Sequence, residues 1–196
     1  MSLIMGLTKQ AKTLCRSQVA LLFTMLKGTR YPLRNKVIAL LSLKAGLRAK
    51  EIANLTWDMI TDAQRQLTSA IHLRNAASKG KSGRVIPLNK ELKAALQLLQ
   101  KEVGLSPYVI TTERSEQFSS AAIVNLFAAW YRTIGLQGCS SHSGRRTFIT
   151  NAARKISTVG GSLRDVQVLA GHKALSTTQR YIEADAAAQK RVVDLI

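Results

Sequence analysis

The sequence predicts a mainly helical α+β domain that carries one small antiparallel sheet. Apolar residues recur at the 3.6-residue helical period in several stretches, which glycine and proline separate. Only two short segments are predicted as strands: Leu67 to Leu73, which alternates between apolar and polar residues, and Arg84 to Leu88; a small basic turn joins them. With 196 residues, of which 46% are hydrophobic, the chain is long enough to bury the core of one ordinary domain.

The first half of the chain is expected to form three helices and a β-hairpin. Proline in a first turn and glycine just after a last turn mark the helix ends. The helices are expected over Thr8 to Lys27, Pro32 to about Ala45, and about Ala49 to Leu55. The strands are expected over Leu67 to Leu73 and Arg84 to Leu88. The basic turn between the strands places lysines at the rim of the hairpin.

The second half is expected to be helical apart from a short extended segment over Tyr108 to Ile110. Asn89 can cap an amphipathic helix that reaches Val103. The later helices are expected from Ser119 or Ser120 to about Ile134, from a Ser140-Ser141 cap through His142 and Arg145, from Ser162 to about Ala170, and from a Ser176 cap through Tyr181 to Leu195. About eight helices result in total.

The charge of the chain points to a polyanionic partner. The formal net charge is +18, and no Asp or Glu precedes Glu51. A folded domain with this imbalance most often binds nucleic acid. A ribosome-type or membrane-surface protein would share the charge, and charge alone does not separate DNA from RNA.

Other classes of protein find little support in the sequence. No apolar run reaches the roughly 18 residues that a membrane span needs. Cys15 and Cys139 lie far apart and in no motif, so we expect reduced thiols in a cytoplasm. Clusters of His, Cys, Asp or Glu with metal-ligand spacing do not occur, and we therefore expect neither a metal nor another cofactor.

Two motifs near the end of the chain combine phosphate-seeking side chains with a tyrosine. The first is His142-Ser-Gly-Arg145, whose outer residues share one face of a helix. The second is Ala170-Gly-His172, which Tyr181 follows. Each residue taken singly has an ordinary structural explanation, so only the combination carries weight.

Two further motifs lie upstream. Gly46-Leu-Arg48 is followed by Glu51 and then by Leu55-Thr-Trp57. The hairpin turn contains Lys79-Gly-Lys81, and the strand after it ends in Pro87-Leu88. A lone Arg paired locally to Glu51, or a solvated basic turn, would explain either motif by itself.

In this order the four motifs resemble those of the tyrosine recombinases, the phage-integrase family, over about Leu7 to Glu183. The resemblance implies the helical catalytic domain of that family and Tyr181 as a nucleophile on a DNA phosphodiester. It implies Glu51 as an orienting acid and Lys79 as general acid, with Lys81 as the alternative. The remaining catalytic positions implied are Arg48, His142, Arg145 and His172.

The residue types suit metal-free chemistry on a phosphodiester. Guanidinium groups match phosphate oxygens and remain charged, whereas a phenol is almost wholly protonated at neutral pH and needs a base such as His142. His172 would donate to a non-bridging oxygen. By resemblance, the product is a 3′-phosphotyrosyl bond and a free 5′-hydroxyl, and religation needs neither metal nor ATP. Side chains expected to contact the DNA are Lys50, Lys81, Arg84, Arg146, Lys173 and Arg180.

The chain departs from the family pattern in two ways. Gly144 stands where leucine is usual in the His-x-x-Arg motif and Arg146 where histidine is frequent; Gly144 is expected to loosen the helix start. Residues 1–6 are interpreted as a leader or disordered start and 7–196 as a single catalytic domain without the N-terminal core-binding domain. Either an excised domain or a naturally short member, like the invertases of fimbrial switches, would explain this length.

Three other functions remain open from the sequence: a catalytically silent DNA-binding protein of the same fold, a type IB-like DNA topoisomerase, and an RNA-binding basic protein. For the leading interpretation the expected partner is double-stranded DNA, in the nucleoid of the bacterial cytoplasm. Self-association on DNA as a dimer or tetramer is expected through the apolar tail Val192 to Ile196. Packing of that tail on its own domain is the alternative.

Overall fold

A computed structural model describes residues 11–78, 82–104, 106–113, 115–182 and 192–194. Within these residues the chain forms eight α-helices and one two-stranded sheet, which confirms the predicted fold class. The elements are α1 (Arg16–Lys27), α2 (Pro32–Lys44), α3 (Ala49–Ala53), β1 (Ala70–Leu73), β2 (Arg84–Pro87), α4 (Lys90–Val103), α5 (Ser120–Thr133), α6 (Ser143–Lys155), α7 (Leu163–Ala170) and α8 (Leu175–Gln179). Single 3-10 turns follow α3 and α6.

The predicted β-hairpin is present but shorter than expected. β1 and β2 pair antiparallel from Ala70 opposite Pro87 to Leu73 opposite Arg84. Leu67 instead forms an isolated bridge with Thr61, so the chain before β1 turns away from the ladder. The turn that carries Lys79 and Lys81 lies outside the described residues.

The first helix starts later than predicted. It begins at Arg16 rather than at Thr8, because the Cys15 main-chain N–H donates to the Gln18 side chain at 2.9 Å and so caps the first turn. The residues just before it are irregular, and the Leu14 main-chain N–H donates to Thr147 Oγ1 of α6 at 2.8 Å. This segment is therefore tied to α6 rather than continued as helix.

Two predicted helix caps are wrong. The N-cap of α6 is His142, and Ser140 Oγ accepts from the His142 main-chain N–H at 3.3 Å instead of capping the helix. Ser176 lies inside α8, which begins at Leu175 and ends at Gln179. Tyr181 consequently lies in the turn after α8, not within a helix. Beyond residue 182, only residues 192–194 of the predicted last helix are described.

The core is organised around α2. Its residues from Val37 to Leu43 are all buried, and the helix packs against α1, α3, α4 and α6. A helix that is buried on every side is typical of the centre of a helical domain. A smaller cluster of Ile149, Val166 and Ala170 joins α6 to α7, and Tyr181 packs against it. Among the described helices, none combines the length and the apolar character needed to cross a bilayer.

Two glycines permit the close approach of α6 to α2 and to the loop after it. A Cβ on Gly144 would lie 3.0 Å from Ser42 Cβ, so this glycine brings the start of α6 onto α2 rather than loosening it. Gly46 has a φ of +63°, and a Cβ there would lie 2.5 Å from Cδ1 of the Phe148 ring. Gly144 thus allows the start of α6 to pack on α2, and Gly46 allows Phe148 of α6 to pack on the α2–α3 loop.

Replacing Gly46 by alanine should destabilise the fold more than replacing Gly160. Both residues have a positive φ, but nothing lies within 4 Å of a Cβ on Gly160. Gly160→Ala should lose about 1 kcal/mol of unfolding free energy through backbone strain. Gly46→Ala should lose about 1–3 kcal/mol more, because the Phe148 ring must move. Urea unfolding measures both, and equal losses would contradict the contact.

Candidate active site

A cleft with a volume of about 570 Å³ opens beside the start of α6. It collects side chains from the α2–α3 loop, from α6 and from the segments around α8, which are far apart in sequence. Five predicted catalytic residues lie on its wall: Arg48, His142, Arg145, His172 and Tyr181. Two predicted DNA contacts, Arg146 and Arg180, line it as well. The tertiary structure thus brings together most of what the motifs predicted.

Arg145 lies at the floor of this cleft and is only 4% exposed. Its Nη1 donates to the Gly46 carbonyl oxygen at 2.5 Å, and its Nη2 donates to the Ala170 carbonyl oxygen at 2.6 Å. Burial, together with the neighbouring Arg48, lowers the pKa of Arg145 to about 10, so the guanidinium remains charged at neutral pH. Two neutral carbonyls therefore hold a charged group in place without cancelling its charge.

His172 lies between Arg145 and Thr178. Its Nε2 is 3.1 Å from Arg145 Nη2, and its Nδ1 is 2.9 Å from Thr178 Oγ1. Because a guanidinium can only donate, Nε2 accepts this hydrogen bond and the ring is neutral with its proton on Nδ1. Burial and the charges of Arg145, Arg48 and Arg84 lower the pKa of His172 to about 4, which agrees with a neutral ring.

This arrangement differs from the role predicted for His172. The sequence analysis expected this imidazole to donate to a phosphate oxygen. In the structure Nε2 faces a donor and presents its lone pair. His172 must therefore change its hydrogen bonding before it can serve a phosphate as predicted.

Tyr181 is held at the cleft wall by contacts to its ring and its main chain. The ring stacks on His172, with centroids 5.4 Å apart and an angle of 23° between the planes. Arg146 places its guanidinium carbon 5.7 Å from the centroid of the tyrosine ring. The Tyr181 main-chain N–H donates to the Thr178 carbonyl at 3.0 Å, and its own carbonyl accepts from Thr150 Oγ1 at 3.2 Å. The tyrosine ring is thus positioned next to His172 and Arg146.

Glu51 lies beneath the cleft and is fully buried between two arginines. Arg48 donates to Glu51 Oε1 from Nη1 at 2.7 Å and to Oε2 from its main-chain N–H at 2.9 Å. Arg84 donates from Nη1 and Nη2 to the two carboxylate oxygens at 3.1 and 3.0 Å. Burial by itself would raise the pKa of Glu51, but the two guanidinium groups outweigh it and lower the pKa overall. A carboxylate that orients a neighbouring arginine would need this arrangement of hydrogen bonds.

Arg84 does not lie where the sequence analysis placed it. It was predicted to contact DNA, but its side chain is 3% exposed because it pairs with Glu51. Its Nε also donates to the Leu169 carbonyl at 2.8 Å. A Cβ on Gly171 would lie 2.9 Å from Arg84 Nη1, so the glycine before His172 packs directly on this arginine. Arg84, on the hairpin, therefore contacts both Glu51 of α3 and the end of α7 beneath the cleft.

The signal that would have placed Arg84 is the alternation within its strand. Arg84 and Ile86 are buried, whereas Val85 and Pro87 are exposed. Side chains two residues apart in a strand point to the same face. An arginine on the apolar face is a buried ion pair more often than a surface contact, since an unpaired buried charge is costly.

The other predicted residues are more exposed. His142 stands at the start of α6 and is exposed to the cleft. Lys50, Lys173 and Arg180 are exposed, and Arg146 is half-buried. Lys79 and Lys81 lie outside the described residues. Within the described ranges, no group of three or more His, Cys, Asp or Glu side chains could hold a metal ion.

Comparisons with known proteins agree with this geometry. The sequence model of the Phage integrase family matches residues 12–188. The tyrosine recombinase XerA of Thermococcus kodakarensis is 32% identical over 174 residues, which cover 87% of this chain and 57% of the relative. The chain thus spans little more than half the length of that relative.

Solved structures share the fold. A crystal structure of XerA recombinase superposes with a TM-score of 0.72 at 23% identity, covering 93% of this chain and 64% of the other. The Tn1549 transposon integrase in complex with a circular intermediate DNA gives a TM-score of 0.76 at 18% identity, covering 98% and 68%. At these identities the likeness concerns the fold.

Arg84→Ala should be far more destabilising than Arg74→Ala. Removing Arg84 deprives the buried Glu51 carboxylate of one of its two partners, which should cost about 3–5 kcal/mol of unfolding free energy. Arg74 also pairs with a carboxylate, Asp58 at 2.7 Å, but both side chains are more than half exposed. That pair should contribute less than about 1 kcal/mol. Denaturant unfolding compares the two, and similar losses would disprove a supporting role for Arg84.

Proposed function

The chain belongs to the phage integrase family, and from this premise we propose that it is the catalytic part of a site-specific tyrosine recombinase. The observation that carries the proposal is the convergence of a tyrosine, two histidines and two arginines on one cleft. These residues come from three separate parts of the sequence, and a merely structural role would not require all of them to face the same space.

In the proposed reaction Tyr181 Oη attacks the phosphorus of a DNA phosphodiester. A P–O bond to the tyrosine forms as the bond to the 5′ oxygen breaks, which leaves a 3′-phosphotyrosyl bond and a free 5′-hydroxyl. Arg48 and Arg145 stabilise the charge that develops on the non-bridging oxygens. His142, exposed at the cleft, accepts the phenolic proton or hydrogen-bonds the phosphate.

The leaving 5′ oxygen needs a proton, which we assign to Lys79 with Lys81 as the alternative. Both lysines lie outside the described residues, so this assignment rests on the family resemblance and on the hairpin that carries them. In the second half of the reaction the 5′-hydroxyl of a partner strand attacks the phosphotyrosyl bond and releases the tyrosine. The phosphodiester energy is conserved, so no ATP is consumed.

Double-stranded DNA is the proposed substrate, bound at the bacterial nucleoid. The net charge of +18 supports a polyanionic partner. Four of the predicted DNA contacts are exposed or half-buried and able to reach a backbone: Lys50, Arg146, Lys173 and Arg180. The structure of the Tn1549 transposon integrase, which has a related fold, was solved with DNA bound.

We further propose that protomers associate on DNA, as a dimer or tetramer, through the tail Val192 to Ile196. Two of the three described residues of this tail are apolar and exposed, Val192 at 58% and Val193 at 69% accessibility, and Asp194 follows them. Leu195 and Ile196 lie outside the described residues. Burying these adjacent exposed valines against a neighbouring protomer would remove apolar surface from water and so stabilise the association.

A covalent trap tests the reaction. The protein is incubated with nicked duplexes drawn from the DNA that flanks its gene, in EDTA, and the mixture is run on a denaturing gel. The wild type and Tyr108→Phe, a control that removes a hydroxyl outside the cleft, should both form an adduct. Tyr181→Phe should form none, because the nucleophile is gone.

The trap also separates the competing functions. Duplex binding without an adduct in the wild type, even after fusion to the N-terminal domain of a relative, would overturn the recombinase in favour of a silent DNA-binding protein. An adduct accompanied by supercoil relaxation without exchange of strands would indicate a topoisomerase. Stronger protection of folded RNA than of duplex DNA would indicate an RNA-binding protein.

Removing the tail should weaken cooperative binding. A chain truncated after Ala186 should bind a two-site duplex with a shallower dependence on protein concentration than the full chain, as measured by electrophoretic mobility shift. Binding to a single site should change little, because the cleft is intact. Unchanged cooperativity would mean that the tail packs on its own domain.

A further inference from the structure

Thr178 is a fully buried residue that touches both His172 and the segment of Tyr181. Its Oγ1 lies 2.9 Å from His172 Nδ1, and its carbonyl accepts from the Tyr181 main-chain N–H at 3.0 Å. None of the sequence motifs singled out this residue. One side chain on α8 thus contacts the imidazole, and its main chain holds the nucleophile.

The hydrogen bonds of His172 define its tautomer in the absence of DNA. Arg145 Nη2 can only donate, so His172 Nε2 accepts and Nδ1 carries the proton. The Thr178 hydroxyl then accepts from Nδ1–H. In this form Arg145 supplies the donor for His172 Nε2, and His172 supplies an acceptor for Arg145.

A phosphate in the cleft requires the opposite arrangement. Phosphate oxygens accept hydrogen bonds, so both Arg145 and His172 must present N–H groups to them. If the proton of His172 lies on Nε2 instead of Nδ1, the imidazole becomes a donor and its bond to Arg145 Nη2 is lost. That one change supplies the phosphate with two N–H groups, one from each residue.

We propose that Thr178 is a positioning residue whose hydroxyl supports His172 in both tautomers. A hydroxyl can accept and donate. It accepts from Nδ1–H while His172 faces Arg145, and it donates to Nδ1 when Nε2–H turns to a phosphate oxygen. One proton leaves Nδ1 to solvent and one joins Nε2 from solvent, so no net charge is transferred. The second form rests on the proposed recombinase function; the first does not.

The surroundings of His172 favour an exchange between neutral forms. The charged groups that face the ring are Arg145 on α6, Arg48 before α3 and Arg84 on β2, while the Tyr181 ring stacks on it. The Glu51 carboxylate is already shared by Arg48 and Arg84. Three guanidinium groups disfavour a positively charged imidazole. The ring therefore stays neutral, and what can change is which of its nitrogens carries the proton.

Nitrogen-15 NMR of the histidine-labelled full chain reads the tautomer directly. Only three histidines occur, His72, His142 and His172, and the signal of the last is identified by its loss in His172→Asn. The wild type without DNA should show His172 protonated on Nδ1. Thr178→Ser and Thr178→Val should both keep this form, because Arg145 sets it. Only Thr178→Val, which has the same shape without the hydroxyl, should lose the hydrogen bond from Nδ1–H, so its Nδ1–H signal should move upfield.

Thr147→Val is the matched control. It removes another buried hydroxyl, on α6, whose contacts are the Leu14 main-chain N–H and the Ser143 carbonyl rather than His172. It should leave the Nδ1–H signal of His172 unchanged. A wild type protonated on Nε2 would overturn the proposal without any variant, and so would an unchanged Nδ1–H signal in Thr178→Val.

The covalent trap supplies the functional readout. Thr178→Val should form the phosphotyrosyl adduct about tenfold more slowly at unchanged duplex affinity, the effect of one lost hydrogen bond, and Thr178→Ser should restore the rate. Tyr181→Phe bound to the duplex that traps the wild type should show Nε2–H. Persistence of Nδ1–H there would overturn the exchange. Absence of any wild-type adduct would instead count against the recombinase function, while the DNA-free Nδ1–H signal of Thr178→Val would still decide the role of Thr178.

Discussion

A single buried carboxylate makes it possible to crowd several guanidinium groups under one cleft. Arg48, Arg84 and Arg145 would repel one another strongly where burial lowers the local dielectric constant. Glu51 lies between Arg48 and Arg84 and hydrogen-bonds both with its two oxygens. The ion pair of Glu51 with Arg84 is almost completely buried, so removing either residue would leave an uncompensated charge. This ion pair couples the hairpin and α3 to the floor of the site.

Arg145 is held by a different device. Its partners are the carbonyls of Gly46 and Ala170 and the neutral ring of His172. A carboxylate in their place would orient the guanidinium but cancel its charge for an incoming phosphate. Carbonyl dipoles orient it at no such cost, which leaves a fixed positive charge where negative charge would develop in phosphoryl transfer. The close contact of Gly46 with α6 is what allows this carbonyl to reach Arg145.

Local patterns predicted the regular elements well wherever the signal was local. Asn89 caps α4 as expected, with its side chain accepting from the Glu91 main-chain N–H at 3.0 Å. The glycines after α1 and α7 end these helices where predicted. Ser140 and Ser176 misled because a serine near a helix start is a common cap but is not obliged to be one. The two helices begin at Ser143 and Leu175 instead.

The sequence by itself determined the fold class, the family and five of the predicted catalytic residues that line the cleft, because these depend on periodicity and on motifs of fixed spacing. It did not determine the roles of Arg84 and Thr178. Whether a charged or hydroxyl side chain faces DNA or supports the site from beneath depends on which distant segment packs over it. For Arg84 that segment is the end of α7, and for Thr178 it is the loop of His172. Only the tertiary structure decided these roles, because burial and hydrogen-bond partners arise from contacts between segments that no local pattern encodes.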